Sequence, residues 1–353
     1  LRRCILCVRL QVMLGVRQTV REPRREFLQP LSTTTREILM NTTARLLTTA
    51  TGVLVFAVCA EAQSGKGGGD TLKKVIVGEG VELHYVERGT GVPVVFVAGG
   101  LADYSQWDGY VDAFAEHYHV LAYSRRYNFP NQNPVRSGHS SIVDADDLAE
   151  FIDRLHLGSA HVIGFSYGGL TALHLALRHP GAVRSLTLVE PPAASLLNGL
   201  PGDKAEAGKA AYADMVARQT SPLRAAFRSG DRERGMRIFH WYLSGDSTFW
   251  DSKFPEPLKD ATRRNYKEWD ALLTNGELLS PVDAQGIRDL PMPVLILSGE
   301  KTGGFPRLID DELDRLLKPH GGQHVVIPNA DHGMLFQQPA LCRAAILTFL
   351  GGK

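Results

Sequence analysis

HVIGFSYGGL, residues 161–170, decides the fold. Its first residues form an apolar run that reads as a strand buried on both faces. Residues 170–177 are apolar almost all round, as in a buried helix. Between the two stand Gly164, Ser166 and Gly168. A bare Gly-x-Ser-x-Gly string carries little information, because glycine beside serine also makes ordinary flexible turns. Set between a buried strand and a buried helix, it has a steric reading. Strand and helix approach so closely at the turn that the flanking residues must be small, and the serine is presented above the end of the strand. The following helix aims the positive end of its dipole at that serine. Ser166 is therefore read as a nucleophile, with Gly164 and Gly168 as its elbow.

The same alternation extends in both directions. Residues 75–77 and 83–86 read as short strands joined by a turn at 78–80, and 94–97, 120–123, 185–189, 293–297 and 324–327 as further strands. Residues 144–155 carry a helical period that puts Ala145, Leu148, Ile152 and Leu155 on one side. Strands alternating with helices predict an α/β fold, a mostly parallel sheet flanked by helices. One interruption stands out. Residues 191–290 have little strand character, and helices are expected over 204–218, 232–243 and 258–273. An insertion at the strand ends is well placed to cover a site. It holds Trp241, Trp250 and Trp269, read mainly as the insertion's own core, while Trp107 reads as helix packing.

Bulk properties exclude whole classes of function. Lys and Arg total 39 against 38 Asp and Glu. Without a basic excess there is no nucleic-acid surface. Apolar content is ordinary for a globular core. The N-terminal part differs. Residues 1–39 are arginine-rich and are expected to be a leader or an over-extended gene start, and their Arg, Ser and Thr content equally fits an organelle transit peptide. From Met40 a short n-region, an apolar run over 46–58 and Ala60-Glu61-Ala62 read as a signal peptide, residues 40–62, cleaved near Ala62. Periplasmic or secreted location is the expectation. Lipidation at Cys59 is the alternative, with Val58 a poor fit before it. The apolar run is too short for a stable membrane span. Residues 63–71 are a glycine-rich linker. Of Cys4, Cys7, Cys59 and Cys342, only Cys342 would survive cleavage, so no intramolecular disulfide is expected.

Four motifs occur in order: Ala98-Gly99-Gly100 after a strand, Asp146-Asp147-Leu148-Ala149 in the helix before the elbow, the elbow itself, and Asp331-His332-Gly333 near the end. On these the chain resembles the α/β-hydrolase superfamily over about residues 72–350, and within it the capped, esterase-like serine hydrolases. The resemblance implies an eight-stranded, mostly parallel sheet, with a helical cap inserted after strand 6. The core would then be 72–190 and 291–353, and the cap 191–290.

A serine hydroxyl needs a base to take its proton, and His332 occupies the family's position for that base. His117 and His119 form a His-x-His pair with no third ligand evident, so no metal site is expected. The orienting carboxylate departs from the commoner pattern. That pattern is G-x-x-D after the seventh strand, and this chain has Gly299-Glu300-Lys301-Thr302 there. Two candidates stay open: Glu190, which ends an apolar strand and so needs a partner, and Glu300. Asp331 reads as a turn residue. The resemblance places oxyanion-stabilising N–H groups at Tyr167 and at Gly100, where family members usually carry His-Gly-x.

The expected function is hydrolysis of an ester or related acyl bond of a small, fairly apolar substrate, with no cofactor and no metal. Lactone hydrolysis, C–C bond hydrolysis and cofactor-free perhydrolysis use the same residues, and fold alone does not separate them. Epoxide hydrolases and haloalkane dehalogenases carry Asp where this chain has Ser166. A non-catalytic ligand-binding receptor on the same fold is the alternative from another class.

Overall fold

The computed structural model describes residues 71–351. The expected leader, the signal peptide, residues 63–70 of the linker, and Cys4, Cys7 and Cys59 lie outside the described residues. All eight expected strands form: β1 (Lys73–Val77), β2 (Val81–Arg88), β3 (Pro93–Val97), β4 (His119–Tyr123), β5 (Ala160–Phe165), β6 (Val183–Val189), β7 (Val294–Gly299) and β8 (Gln323–Ile327). They make one sheet in the order β1-β2-β4-β3-β5-β6-β7-β8. β2 runs antiparallel to both β1 and β4. The pairings from β4 through β8 are parallel. Val94 to Val97 are fully buried, as a central parallel strand covered on both faces requires. Each such side chain contributes about 1.5–3 kcal/mol of transfer free energy.

Between and after these strands come α1 (Asp108–Ala115), α2 (Ser141–Arg154), α3 (Tyr167–Arg178), α4 (Ala205–Met215), α5 (Ser221–Arg228), α6 (Arg232–Ser244), α7 (Glu256–Arg263), α8 (Tyr266–Thr274), α9 (Ala284–Arg288), α10 (Gly304–Leu317), α11 (Met334–Gln337) and α12 (Pro339–Leu350). One apolar cluster joins the sheet to Leu148 and Phe151 of α2, Leu170 of α3 and Leu313 of α10. A second joins its other face to Tyr110 and Phe114 of α1 and Ile346 of α12. Helices thus cover both faces, as alternation predicts. Trp107 is fully buried and stacks on Phe96 at 4.5 Å between centroids, in agreement with its reading as packing. Among the described residues no helix is long and apolar enough to cross a membrane.

Helices α4 to α9 lie between β6 and β7, where the insertion was expected. The expected helix over 258–273 is in fact two, α7 and α8. The cause is Asn265, whose backbone leaves the helical region at φ −104°, ψ 6°. Its side-chain amide donates to Asp103 Oδ2 at 2.9 Å and accepts from the Phe129 N–H at 2.7 Å. Two long-range hydrogen bonds thus outweigh local helix propensity at that residue. Trp250 and Trp269 are buried with Leu223, Phe227 and Met236 in a cluster that also takes in Leu101 and Tyr167. Trp241 lies outside that cluster, with the Arg218 guanidinium over its ring.

Candidate active site

β5 delivers the chain to Ser166 at the C-terminal edge of the sheet, and α3 begins at the next residue. Ser166 has φ 51°, ψ −122°, a conformation that costs on the order of 1–3 kcal/mol and persists only where the surroundings enforce it. The elbow glycines supply that enforcement. A Cβ on Gly164 would lie 2.4 Å from the Gly168 carbonyl oxygen, and one on Gly168 would lie 2.2 Å from that of Ala98. Neither position admits a side chain. The Ser166 N–H donates to Val189 O at 2.9 Å, continuing the β5–β6 ladder through the turn.

Two more groups converge on the serine from distant parts of the chain. His332 Nε2 lies 3.1 Å from Ser166 Oγ. Its Nδ1 lies 2.6 Å from Glu190 Oε2. An ionised carboxylate only accepts, so Nδ1 carries a proton and Nε2 of the neutral ring is left to accept from the serine hydroxyl. The imidazole also packs against the Phe165 ring at 4.9 Å. Glu190 follows the last residue of β6, is buried, and itself has a positive φ of 43°. Its Oε1 accepts from the Gly299 N–H at 2.8 Å and from Thr302 Oγ1 at 2.6 Å.

The other sequence candidates are placed elsewhere. Glu300 is exposed and accepts from the Asn329 N–H at 2.7 Å, a contact that secures a surface loop and does not reach the imidazole. Asp331 accepts from the Gly333 N–H at 2.9 Å and from Gln337 Nε2 at 2.7 Å, as a turn residue does. Thr302, standing where the commoner pattern has aspartate, supplies a hydroxyl to the glutamate from the neighbouring strand.

Burial alone would raise the Glu190 carboxyl, but hydrogen bonds from His332, Gly299 and Thr302, with the charge His332 can carry, outweigh it and hold the group below its ordinary 4.5. A lowered carboxyl stabilises the fold above its unfolded-state value, and that stabilisation is lost as pH falls through the folded-state value. The Tm gap between wild type and Glu190→Gln should therefore narrow as pH is lowered from about 6 to about 3. A gap independent of pH in calorimetry would contradict this assignment of the charge.

The loop after β3 carries the second expected donor. Its N–H groups on either side of Gly100 are occupied: Gly99 donates to Gln106 Oε1 at 2.7 Å, and Leu101 to Glu268 Oε2 at 2.6 Å. Among the described residues the Gly100 and Tyr167 N–H groups have no partner. Arg125, two residues beyond β4, donates to the carbonyls of Ala98 and Gly99. It is buried and paired with Glu268 of α8. Burial opposes the guanidinium charge, and Glu268 and Asp144 more than offset this, raising it above its ordinary value. Gln106, Arg125, Glu268 and Thr302 escaped the sequence reading. One signal was available: Arg125 and Arg126 follow an apolar strand after the single residue Ser124, close to the pattern that singled out Glu190.

A buried carboxylate, an imidazole and a hydroxyl in hydrogen-bonded series can activate the hydroxyl oxygen toward an electrophilic carbon. Two nearby backbone donors can take up negative charge that develops beyond it. Comparison with known proteins bears on the fold that carries this geometry. A family model described as the alpha/beta hydrolase fold matches residues 92–339. A 2-hydroxy-6-oxo-6-(2'-aminophenyl)hexa-2,4-dienoic acid hydrolase from Metapseudomonas resinovorans is 24% identical over 306 residues, 83% of this chain and 96% of that protein. RutD of Azorhizobium caulinodans is 32% identical over 113 residues, 32% of this chain and only 42% of that protein, so the chain matches less than half of that relative's length. A thermophilic esterase from Thermogutta terrifontis shares the fold, with TM-score 0.59, 22% identity, and coverage of 79% of this chain and 98% of that one.

Proposed function

The chain belongs to the α/β-hydrolase fold family, and from that premise we propose that it is a hydrolase that cleaves an ester or related acyl bond of a small, fairly apolar substrate through an acyl-enzyme. Ser166 Oγ attacks the carbonyl carbon while His332 Nε2 takes its proton. The negative charge moves to the carbonyl oxygen, which the Gly100 and Tyr167 N–H groups bind. Collapse breaks the bond to the leaving group, and His332 returns the proton to it. Water then repeats the sequence on the acyl-enzyme, releasing the acid and restoring Ser166. Glu190 holds the imidazole tautomer and stabilises the imidazolium that forms. The inserted helices, residues 191–290, act as a cap and supply the apolar wall. The observation that carries this reading is His332, bridging Ser166 Oγ at 3.1 Å and Glu190 Oε2 at 2.6 Å.

A fluorophosphonate probe tests it. The expected result is one label per chain, mapped to Ser166 by peptide mass spectrometry and absent in Ser166→Ala. Well-folded wild type that takes no label would favour the receptor reading instead. C–C bond hydrolysis on the same residues is the second reading, supported by the near full-length likeness to the Metapseudomonas resinovorans hydrolase. Turnover of p-nitrophenyl esters of rising chain length, set against lactones and a β-diketone, separates the two. We also infer export after cleavage near Ala62, which N-terminal sequencing of protein recovered from the periplasm or medium would check.

A further inference from the structure

The peptide group between Gly99 and Gly100 holds two atoms with opposed tasks. Its carbonyl oxygen accepts from Arg125 Nη2 at 2.8 Å. Its N–H, belonging to Gly100, is one of the two expected oxyanion donors. A peptide is planar and trans, so its C=O and N–H point in opposite directions. Whatever fixes the carbonyl therefore aims the N–H. Arg125 also donates to the Ala98 carbonyl, so one guanidinium holds two successive carbonyls of this loop.

Arg125 is in turn held by Glu268. Oε1 of Glu268 accepts from Arg125 Nε at 3.1 Å and contacts Nη2. Its other oxygen, Oε2, accepts from the Leu101 N–H, on the far side of Gly100. One carboxylate thus orients the arginine and pins the loop directly. Leu101 has a positive φ of 58°, unfavourable for a leucine without such restraint. Both charged side chains are almost fully buried, and Asp144, 3.8 Å from Arg125 Nε, is the other carboxylate facing the guanidinium. Glu268 lies on α8, in the insertion, and the same insertion docks nearby through Arg264 and Asn265 on Asp103.

We propose that Glu268 and Arg125 are positioning residues for the oxyanion site, so that the inserted helix α8 sets the direction of the Gly100 N–H. The proposal rests on the reading that Ser166 attacks a carbonyl. It assigns the insertion a second task, framing a donor of the core, beyond walling the substrate.

Two variants and two readouts test it, with the full chain used throughout. Glu268→Gln keeps an acceptor for Leu101 but releases Arg125. The double variant Arg125→Gln/Glu268→Gln removes both charges together and decides the matter if the single variant does not fold. Amide hydrogen exchange over 98–101 is expected to quicken about tenfold or more, with α3 unchanged. Turnover of p-nitrophenyl acetate is expected to show kcat lower by about tenfold to a hundredfold, with KM within about threefold. A merely structural role would not produce that split. Unchanged exchange in a folded variant, or a rise in KM matching the fall in kcat, would overturn the proposal. Absence of turnover in wild type would strike the Ser166 reading alone, because the exchange measurement still reports whether the pair holds the loop.

Discussion

Ser166→Ala and His332→Ala are each expected to lower kcat by about a million-fold, and the double variant by no further factor. The reason is the geometry of dependence. Ser166 Oγ is 3.1 Å from His332 Nε2, so the base has one proton to take and the hydroxyl has one base to give it to. Removing either leaves the other with no task. Ser166→Ala removes only Oγ and leaves the backbone bonds of the elbow, from the Ser166 N–H to Val189 O and from Leu170 N to Ser166 O, in place. Its Tm should stay within a few degrees of wild type. His332→Ala is less benign, because buried Glu190 loses one of its three donors. Residual p-nitrophenyl acetate hydrolysis, measured on protein verified to be folded, is the check. Strictly multiplicative losses would mean the two groups act independently and would sink the mechanism.

Glu190→Gln is expected to lower kcat by about ten-thousand-fold with the fold intact, and Glu300→Gln to leave it within about twofold. The first substitution keeps the side-chain shape and removes the charge. It also removes the sign of the contact, because an amide nitrogen turned toward Nδ1 would demand the wrong imidazole tautomer. With Nε2 protonated, the base has no lone pair facing Ser166. The second substitution touches only the Asn329 N–H on an exposed loop. The reverse ranking in parallel kinetics would reassign the acid.

How much of this was legible in the sequence depended on the range over which each signal acts. The elbow is written in six consecutive residues, since steric demand falls on immediate neighbours, and Gly164 and Gly168 carry it visibly. His332 was legible through the resemblance, which places the family's base at that position. Glu190 needed a physical argument, a charge at the end of an apolar strand, and that argument led to the carboxylate that touches the imidazole. Applied as strictly to Arg125, it would have predicted a buried partner. The partner's identity would still have been hidden: Glu268 sits 143 positions away, inside a helix whose period gives no reason to prefer it over its charged neighbours. The division of the 258–273 helix failed for the same cause. Asn265 breaks the helix for the sake of Asp103 and Phe129, and local propensity contains no trace of either.

The bond from the Ser166 N–H to Val189 O has a consequence for where the accuracy of the site comes from. That bond is the last rung of the β5–β6 ladder, and Glu190 is the next residue along. Nucleophile and acid are therefore carried on neighbouring strands, whose backbones lie about 4.8 Å apart. The side chains reach forward from those strand ends, and the His332 ring, 3.1 Å from Ser166 Oγ and 2.6 Å from Glu190 Oε2, fills the gap between them. The relative placement of nucleophile and acid is thus inherited from the hydrogen-bonded lattice of the sheet, and not from the loops around it.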